Sequence, residues 1–164
     1  GSEMCIRDRS ILTNAGSDIF GSNEKFCHNE LINIILQLKK NTAKQADTEL
    51  SFDITESSKL NIDDYDTCRL LNNLIDNSIN AAQLTSEKKS FVSIAIDRDE
   101  VVVKTKNKFN STAKRPKRDE SKHGFGTKII KDIAKKYGGK YAVEISGDEY
   151  VTVTTLRNYG LSVN

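Results

Sequence analysis

Apolar residues recur along the chain with two periods, and the switches between them outline the fold. From about residue 29 to 42, Leu31, Ile34, Ile35 and Leu38 stand at i, i+3, i+4 and i+7, which predicts an amphipathic helix. Leu50, Phe52 and Ile54 then alternate with polar residues, the period-two pattern of a half-buried strand. Asp63 and Asp64 supply N-cap chemistry for a second helix over about 66–84, with Leu70, Leu71, Leu74, Ile75, Ile79 and Ala82 on one side. Two strands follow, over 91–96 and 101–105, joined by the polar turn Asp97-Arg98-Asp99-Glu100. Residues 106–122 are almost without apolar content and read as one long loop. A third helix turns Phe125, Ile129, Ile130, Ile133, Ala134 and Tyr137 inward and ends at Gly138-Gly139. The chain closes on a hairpin built from Tyr141/Val143/Ile145, a Gly147-Asp148 turn and a strand over 150–156.

The order α, β, α, ββ, long loop, α, ββ predicts the α+β class. It suggests a two-layer α/β sandwich, with a mixed, mostly antiparallel sheet and helices on one face. A length of 164 residues suits one domain. Residues 1–10 show no periodicity, with Gly1-Ser2 resembling a tag remnant, and residues 11–24 read as a loose lead-in rich in Ser, Asn and Gly, so the domain is assigned to 25–160. The longest apolar stretch, Leu31 to Leu38, is broken by Asn33 and Gln37 and is too short to span a bilayer.

Charge is distributed unevenly behind a net of +2: residues 1–100 carry −6 and residues 101–164 carry +8. Most of the positive excess lies between Lys104 and Lys140. Such a field favours a polyanion such as a nucleotide polyphosphate, a nucleic acid or an acidic partner, but on charge alone a solvated loop followed by the wet face of a helix is the better reading. The cysteines Cys5, Cys27 and Cys68 are odd in number and without C-x-x-C spacing. With only His28 and His123 beside them they suggest no zinc site, and reduced thiols are expected, Cys68 as a small core residue.

Two segments depart from plain core-building. Asn73, Asn77 and Asn80 lie at i, i+4 and i+7 of the second helix, opposite its apolar stripe. Asparagine is a mediocre helix former, so three in line call for a reason. A neutral amide can ligate Mg²⁺ through its oxygen without repelling a polyphosphate; an exposed Asn-rich face is the alternative. Lys122-His123-Gly124-Phe125-Gly126-Thr127-Lys128 joins the basic loop to the third helix. Glycines at a loop-to-helix junction let backbone N–H groups approach a phosphate, although they also mark a merely flexible helix entry. The spacing is that of neither a P-loop nor a Rossmann glycine turn.

An Asn-x-x-x-Asn helix, a hairpin, a long polar loop and a Gly-x-Gly helix start together resemble the GHKL ATPase superfamily and its Bergerat ATP-binding fold. Within it, the sequence looks most like the catalytic domain of sensor histidine kinases of the accessory-gene-regulator, quorum-sensing type. The resemblance covers about residues 29–157. Residues 73–81 match the N box, with Ser78 where Ala is usual. Residues 123–128 match the second glycine box, with Thr127 in place of Leu, and Tyr137-Gly138-Gly139 ends the helix as in the family. The first glycine box is replaced by Thr105-Lys106-Asn107-Lys108-Phe109-Asn110, with Asn107 where relatives carry an adenine-binding Asp.

The resemblance implies ATP and Mg²⁺ as cofactors. Asn73 and Asn77 would be the catalytic pair, with Asn77 the Mg²⁺ ligand and Asn73 supporting its water shell or the phosphates. Asn80 would face the phosphates, and an Asn107 amide can still accept a bond from the adenine amino group. Lys122, His123, Gly124, Phe125, Gly126, Thr127 and Lys128 would complete the nucleotide site. Residues 108–122 would form a lid carrying Lys114, Arg115, Lys117, Arg118 and Lys122. The implied partners are a dimerisation and phosphoacceptor domain of the same protein, absent from this chain, and a response regulator. The fragment would be a monomer on the cytoplasmic side of a membrane-anchored parent and would not autophosphorylate alone. His28-Asn29-Glu30 reads as a surface or helix-cap histidine, because no second long hairpin helix fits before Asn72. A non-catalytic GHKL-like interaction module is the alternative, and a nucleic-acid binder ranks last because aromatic residues are scattered through the basic segment.

Overall fold

The computed structural model describes residues 24–109 and 117–159, with side chains of the second segment from Gly126 onward. The lead-in over 1–23 and the lid residues 110–116, Lys114 and Arg115 among them, lie outside the described residues. Eight elements follow in order: α1 (Glu30–Gln45), β1 (Glu49–Glu56), α2 (Asp64–Gln83), β2 (Lys89–Ile96), β3 (Glu100–Lys108), α3 (Lys117–Lys136), β4 (Lys140–Ser146) and β5 (Glu149–Arg157). The strands form one sheet in the order β1-β2-β3-β5-β4. β1 and β2 are parallel, as a helical crossover between them requires, and the other three pairs are antiparallel. The expected α+β sandwich is therefore the architecture observed.

Caps and turns form where the sequence provides their chemistry. Asn29 caps α1 by accepting from Ile32 N, and the Asp63 carboxylate accepts from Tyr65 N and Asp66 N at the start of α2. Asp97 Oδ1 accepts from the amides of Asp99 and Glu100, closing the β2–β3 turn. Gly138 takes φ +70° to end the last helix. His28 is exposed, and its backbone N–H and that of Asn29 both donate to the Glu56 carboxylate.

The core lies between the helices and one face of the sheet. Leu70, Leu71, Leu74, Ile75 and Ile79 of α2 pack over Val92, Ile94, Val101 and Val103. Each such side chain is worth about 1.5–3 kcal/mol on full burial. α1 buries Leu31, Ile32, Ile35 and Leu36, leaving Ile34 and Leu38 half-exposed. Its apolar positions are dense enough to form two overlapping stripes, and packing against α2 selects between them. Lys39 is buried on this face, its ammonium 2.8 Å from Asp76 Oδ1 of α2.

Two differences from the sequence expectations concern covalent and helical detail. Cys68 is fully buried as expected but disulfide-bonded, which corrects the expectation of reduced thiols; Cys27 is free, and burial first, then Glu56, pushes its thiol up to about 11. The third helix begins at Lys117, well before the Phe125 start expected from apolar periodicity. Residues 117–122 are mostly Lys, Arg, Asp and Glu, which support a helix without leaving an apolar stripe.

Candidate functional site

α2 and α3 run antiparallel over the sheet and are pinned together at one end. Asp66, near the start of α2, is buried and accepts from Lys136 Nζ and Tyr137 OH, each at 2.7 Å. Tyr137 OH also accepts from Asp63 N at 3.3 Å. Burial pushes the Asp66 carboxyl up, but the bonds from Lys136 and Tyr137 outweigh it and hold the carboxyl below its usual value. The Tyr137 phenol is pushed up to about 12, by burial first and then by donating to Asp66.

Farther along α2, Asn73 and Asn77 are half-buried toward α3, which approaches them at Gly126. A Cβ on Gly126 would stand 3.2 Å from Asn73 Oδ1 and 3.7 Å from both amide heteroatoms of Asn77. Two motifs far apart in sequence therefore meet in space, and the glycine is what permits the approach. Asn73 Nδ2 donates to Arg69 O at 2.7 Å, which leaves Oδ1 turned to Gly126. The Asn77 amide has no hydrogen-bond partner among the described residues.

Beneath this crossing lies a cavity of about 80 Å³. Leu74, Asn77, Ser78 and Ala81 of α2 and Thr127 of α3 form one wall; Thr105, Asn107, Tyr141, Tyr150 and Thr152 of the sheet form the other. At this end of the sheet the inward positions change character. Along β3 they run Val101, Val103, Thr105, Asn107, and along β5 Leu156, Thr154, Thr152, Tyr150. An apolar core thus becomes a polar floor.

The floor is internally hydrogen-bonded. Ser78 Oγ lies 2.5 Å from Ser90 Oγ and donates to Asn107 Oδ1 at 3.1 Å, all three residues being buried. Asn107 Nδ2 donates to Lys108 O at 2.9 Å, and the Thr105 and Thr152 hydroxyls pair at 2.5 Å. The Tyr141 phenol is pushed up to about 12, by burial first and then by its neighbour Tyr150, so it stays a neutral donor.

Of the residues singled out in the sequence, the structure brings together Asn73, Asn77, Asn107, Gly126 and Thr127. Asn80 and Lys128 are exposed and do not line the cavity. Gly124 and Gly126 lie inside α3 instead of at its junction with the loop, because the helix starts at Lys117. Backbone N–H groups inside a helix already serve carbonyls four residues back, so the orphan amides expected at these glycines belong to an earlier turn. The side chains of Lys117, Arg118, Lys122, His123 and Phe125 lie outside the described residues. Sequence reasoning missed Ser90, Thr105, Thr152, Tyr141 and Tyr150; their signal was the replacement of Val and Leu by Ser, Thr and Tyr at inward strand positions. It also missed that cations of the basic half are paired, Lys106 with Glu149 and Lys108 with Asp148 of the same half, and Lys136 with Asp66 of α2.

Among the described residues no cluster of three His, Cys, Asp or Glu is placed to hold a metal, and no helix is long and apolar enough to cross a membrane. A cation at Asn77 would need most of its oxygens from a bound ligand, the usual situation for Mg²⁺ on a polyphosphate.

Comparison with known proteins bears on the family and the fold. The GHKL domain family matches residues 62–156, more than half of the chain. No curated protein matches. A nucleotide-free structure of the catalytic domain of histidine kinase ThkA superimposes with a TM-score of 0.60 at 22% identity, covering 82% of this chain and 94% of that one. Another nucleotide-free form of the same domain gives a TM-score of 0.60 at 20% identity, covering 79% and 91%. The chain belongs to the GHKL domain family and has the fold of a histidine kinase catalytic domain.

Proposed function

We propose that this domain binds ATP–Mg²⁺ and presents the γ-phosphate to a histidine on a dimerisation domain outside this chain, as part of a two-component sensor kinase. The observation that carries the reading is the meeting of Gly126 with Asn73 and Asn77 above a polar-floored cavity. Phosphoryl transfer of this kind is mostly positioning and charge neutralisation, and Mg²⁺ supplies the latter when bound with ATP. The residues present fit such a group. Asn77 has an unspent neutral amide to offer the metal, and Asn73 Oδ1 stands beside it for a metal-bound water. Asn107 receives the adenine amino group, and Thr127 adds a hydroxyl. Asn80, Lys122, His123, Gly124, Phe125 and Lys128 belong to the phosphate end of this reading. The same reading assigns the domain to the quorum-sensing subgroup, acting on a response regulator from the cytoplasmic side of a membrane-anchored parent.

A cavity of about 80 Å³ favours a second reading, a GHKL-like module without productive nucleotide binding, since ligand sites usually measure about 300–1,000 Å³. Calorimetric titration of ADP with Mg²⁺ and then with EDTA separates the two. The expected result is Mg²⁺-dependent binding, weakened at least about tenfold in Asn77→Ala with the fold unchanged. No binding at millimolar ADP would move the assignment to the second reading, and undiminished binding by Asn77→Ala would remove that residue from the site.

A further inference from the structure

Asn107 belongs to a row of register partners that crosses the sheet on one face: Ser90 of β2, Asn107 of β3, Tyr150 of β5 and Ile145 of β4. We infer that the Tyr150 ring is the platform on which the base of the bound nucleotide lies, with Asn107 at the edge of that base. This inference deepens the nucleotide-binding reading above and rests on it.

The two ends of that row decide which side of Asn107 is open to a ligand. Toward β2, Ser78 and Ser90 are both buried with their hydroxyl oxygens 2.5 Å apart, so α2 closes down on the sheet and leaves no room for a ring. Ser90 accordingly does not line the cavity, whereas Thr105, Thr152, Tyr141 and Tyr150 do. A planar base whose edge reaches Asn107 therefore extends over β5. There Tyr150 stands directly across from Asn107, which puts their Cβ atoms about 4.5–5.5 Å apart. Tyr150 is half-buried, and its ring is held in place by Phe109, the next position of β3 on the same face. The two rings meet edge-on, with centroids 5.7 Å and planes 65° apart. Phe109 N in turn donates to Asp148 O at 2.8 Å, and Lys108 pairs with the Asp148 carboxylate at 3.2 Å. An edge-on neighbour occupies at most one face of the Tyr150 ring and leaves the other for a base. Such a pair at the end of a sheet also stabilises the fold, so loss of fold and loss of base contact need separate readouts.

Titration of Mg²⁺–ADP into the whole chain, followed by calorimetry and by proton NMR, tests this. Tyr150→Leu keeps an apolar side chain but removes the ring, and is expected to weaken ADP about tenfold, as loss of base–aromatic stacking does. Tyr150→Phe keeps the ring without its hydroxyl and is expected to bind within about twofold of the unsubstituted chain. Intermolecular NOEs are expected between the adenine protons and the ring protons of residue 150, both in the unsubstituted chain and in Tyr150→Phe. Undiminished ADP affinity in Tyr150→Leu, an equal loss in Tyr150→Phe, or absence of those NOEs from a saturated complex overturns the platform role and leaves the nucleotide-binding reading standing. Failure of the unsubstituted chain to bind ADP overturns that reading and this inference with it. Thermal melts establish that each variant is folded; if Tyr150→Leu does not fold, the NOEs and Tyr150→Phe decide.

Discussion

Replacing Asp66 with Asn tests how the two helices that flank the cleft are held. The Asp66 side chain is 3% exposed and accepts from both Lys136 Nζ and Tyr137 OH at 2.7 Å, whereas the Lys136 side chain is 46% exposed. An asparagine keeps an oxygen for Tyr137 but loses the charge-assisted bond from Lys136, whose ammonium can turn back to water. Hydrogen bonds to charged groups are worth about 1.5–3 kcal/mol, and the exposure of Lys136 places this loss near the lower end, about 2 kcal/mol. In a chain of this size that corresponds to a fall in Tm of about 4–8 °C. The pH dependence has a definite sign. The Asp66 carboxyl sits below its ordinary 3.8 in the folded state, so its contribution is complete above the unfolded value and disappears as pH falls through the folded one. Urea denaturation of the parent and Asp66→Asn chains should therefore show a gap at about pH 7 that closes toward about pH 2. A gap that persists unchanged in acid would show that the carboxylate charge is not what holds α2 to α3. Gly126 lies ten residues before Lys136, about 15 Å along the helix, so the variant should lose stability with its ADP affinity largely retained.

Three further substitutions probe the same frame. Gly139→Ala would put a Cβ into the Thr155 carbonyl, and denaturant melts should show a loss of about 3 kcal/mol or more from forced backbone displacement. Asn158→Ala removes a fully buried amide that accepts from Asn61 N and donates to Lys59 O and Asp97 O, so the same melts should show about 3 kcal/mol lost. Gly126→Ala adds about 1 kcal/mol of helix propensity while crowding Asn73 Oδ1. Its Tm should hold or rise slightly while Mg²⁺–ADP titration shows weaker binding; unimpaired binding would mean that close approach at this glycine is not needed by the ligand.

The elements of the fold were legible because their signals are local. Asn29 and Asp63 cap helices wherever those helices pack, and Leu70 to Ile79 spell one apolar face of α2. The start of α3 was not legible, since residues 117–122 are helix-compatible but carry no apolar stripe to reveal it. Nor was the buried side of α1, where Leu31, Ile32, Ile34, Ile35, Leu36 and Leu38 leave the stripe ambiguous until α2 and Lys39–Asp76 select it. In the candidate site the asparagine and glycine motifs stood out because their residue types are costly in helices. The polar floor did not, because Ser90, Thr105 and Thr152 are ordinary strand residues until their neighbours are known.

By itself the sequence determined the order and type of elements, the caps and turns, and the Asn73/Asn77 and Gly124/Gly126 motifs, all consequences of periodicity and side-chain chemistry within a few residues. Only the tertiary structure decided the strand order β1-β2-β3-β5-β4, the contact of Gly126 with Asn73 and Asn77, the clamp of Asp66 by Lys136 and Tyr137, and the chain of hydroxyls from Ser90 through Ser78 to Asn107. Each of these joins residues on different elements. Their pairing depends on the sheet bringing distant segments into register, and no local pattern encodes which hydroxyl will meet which amide.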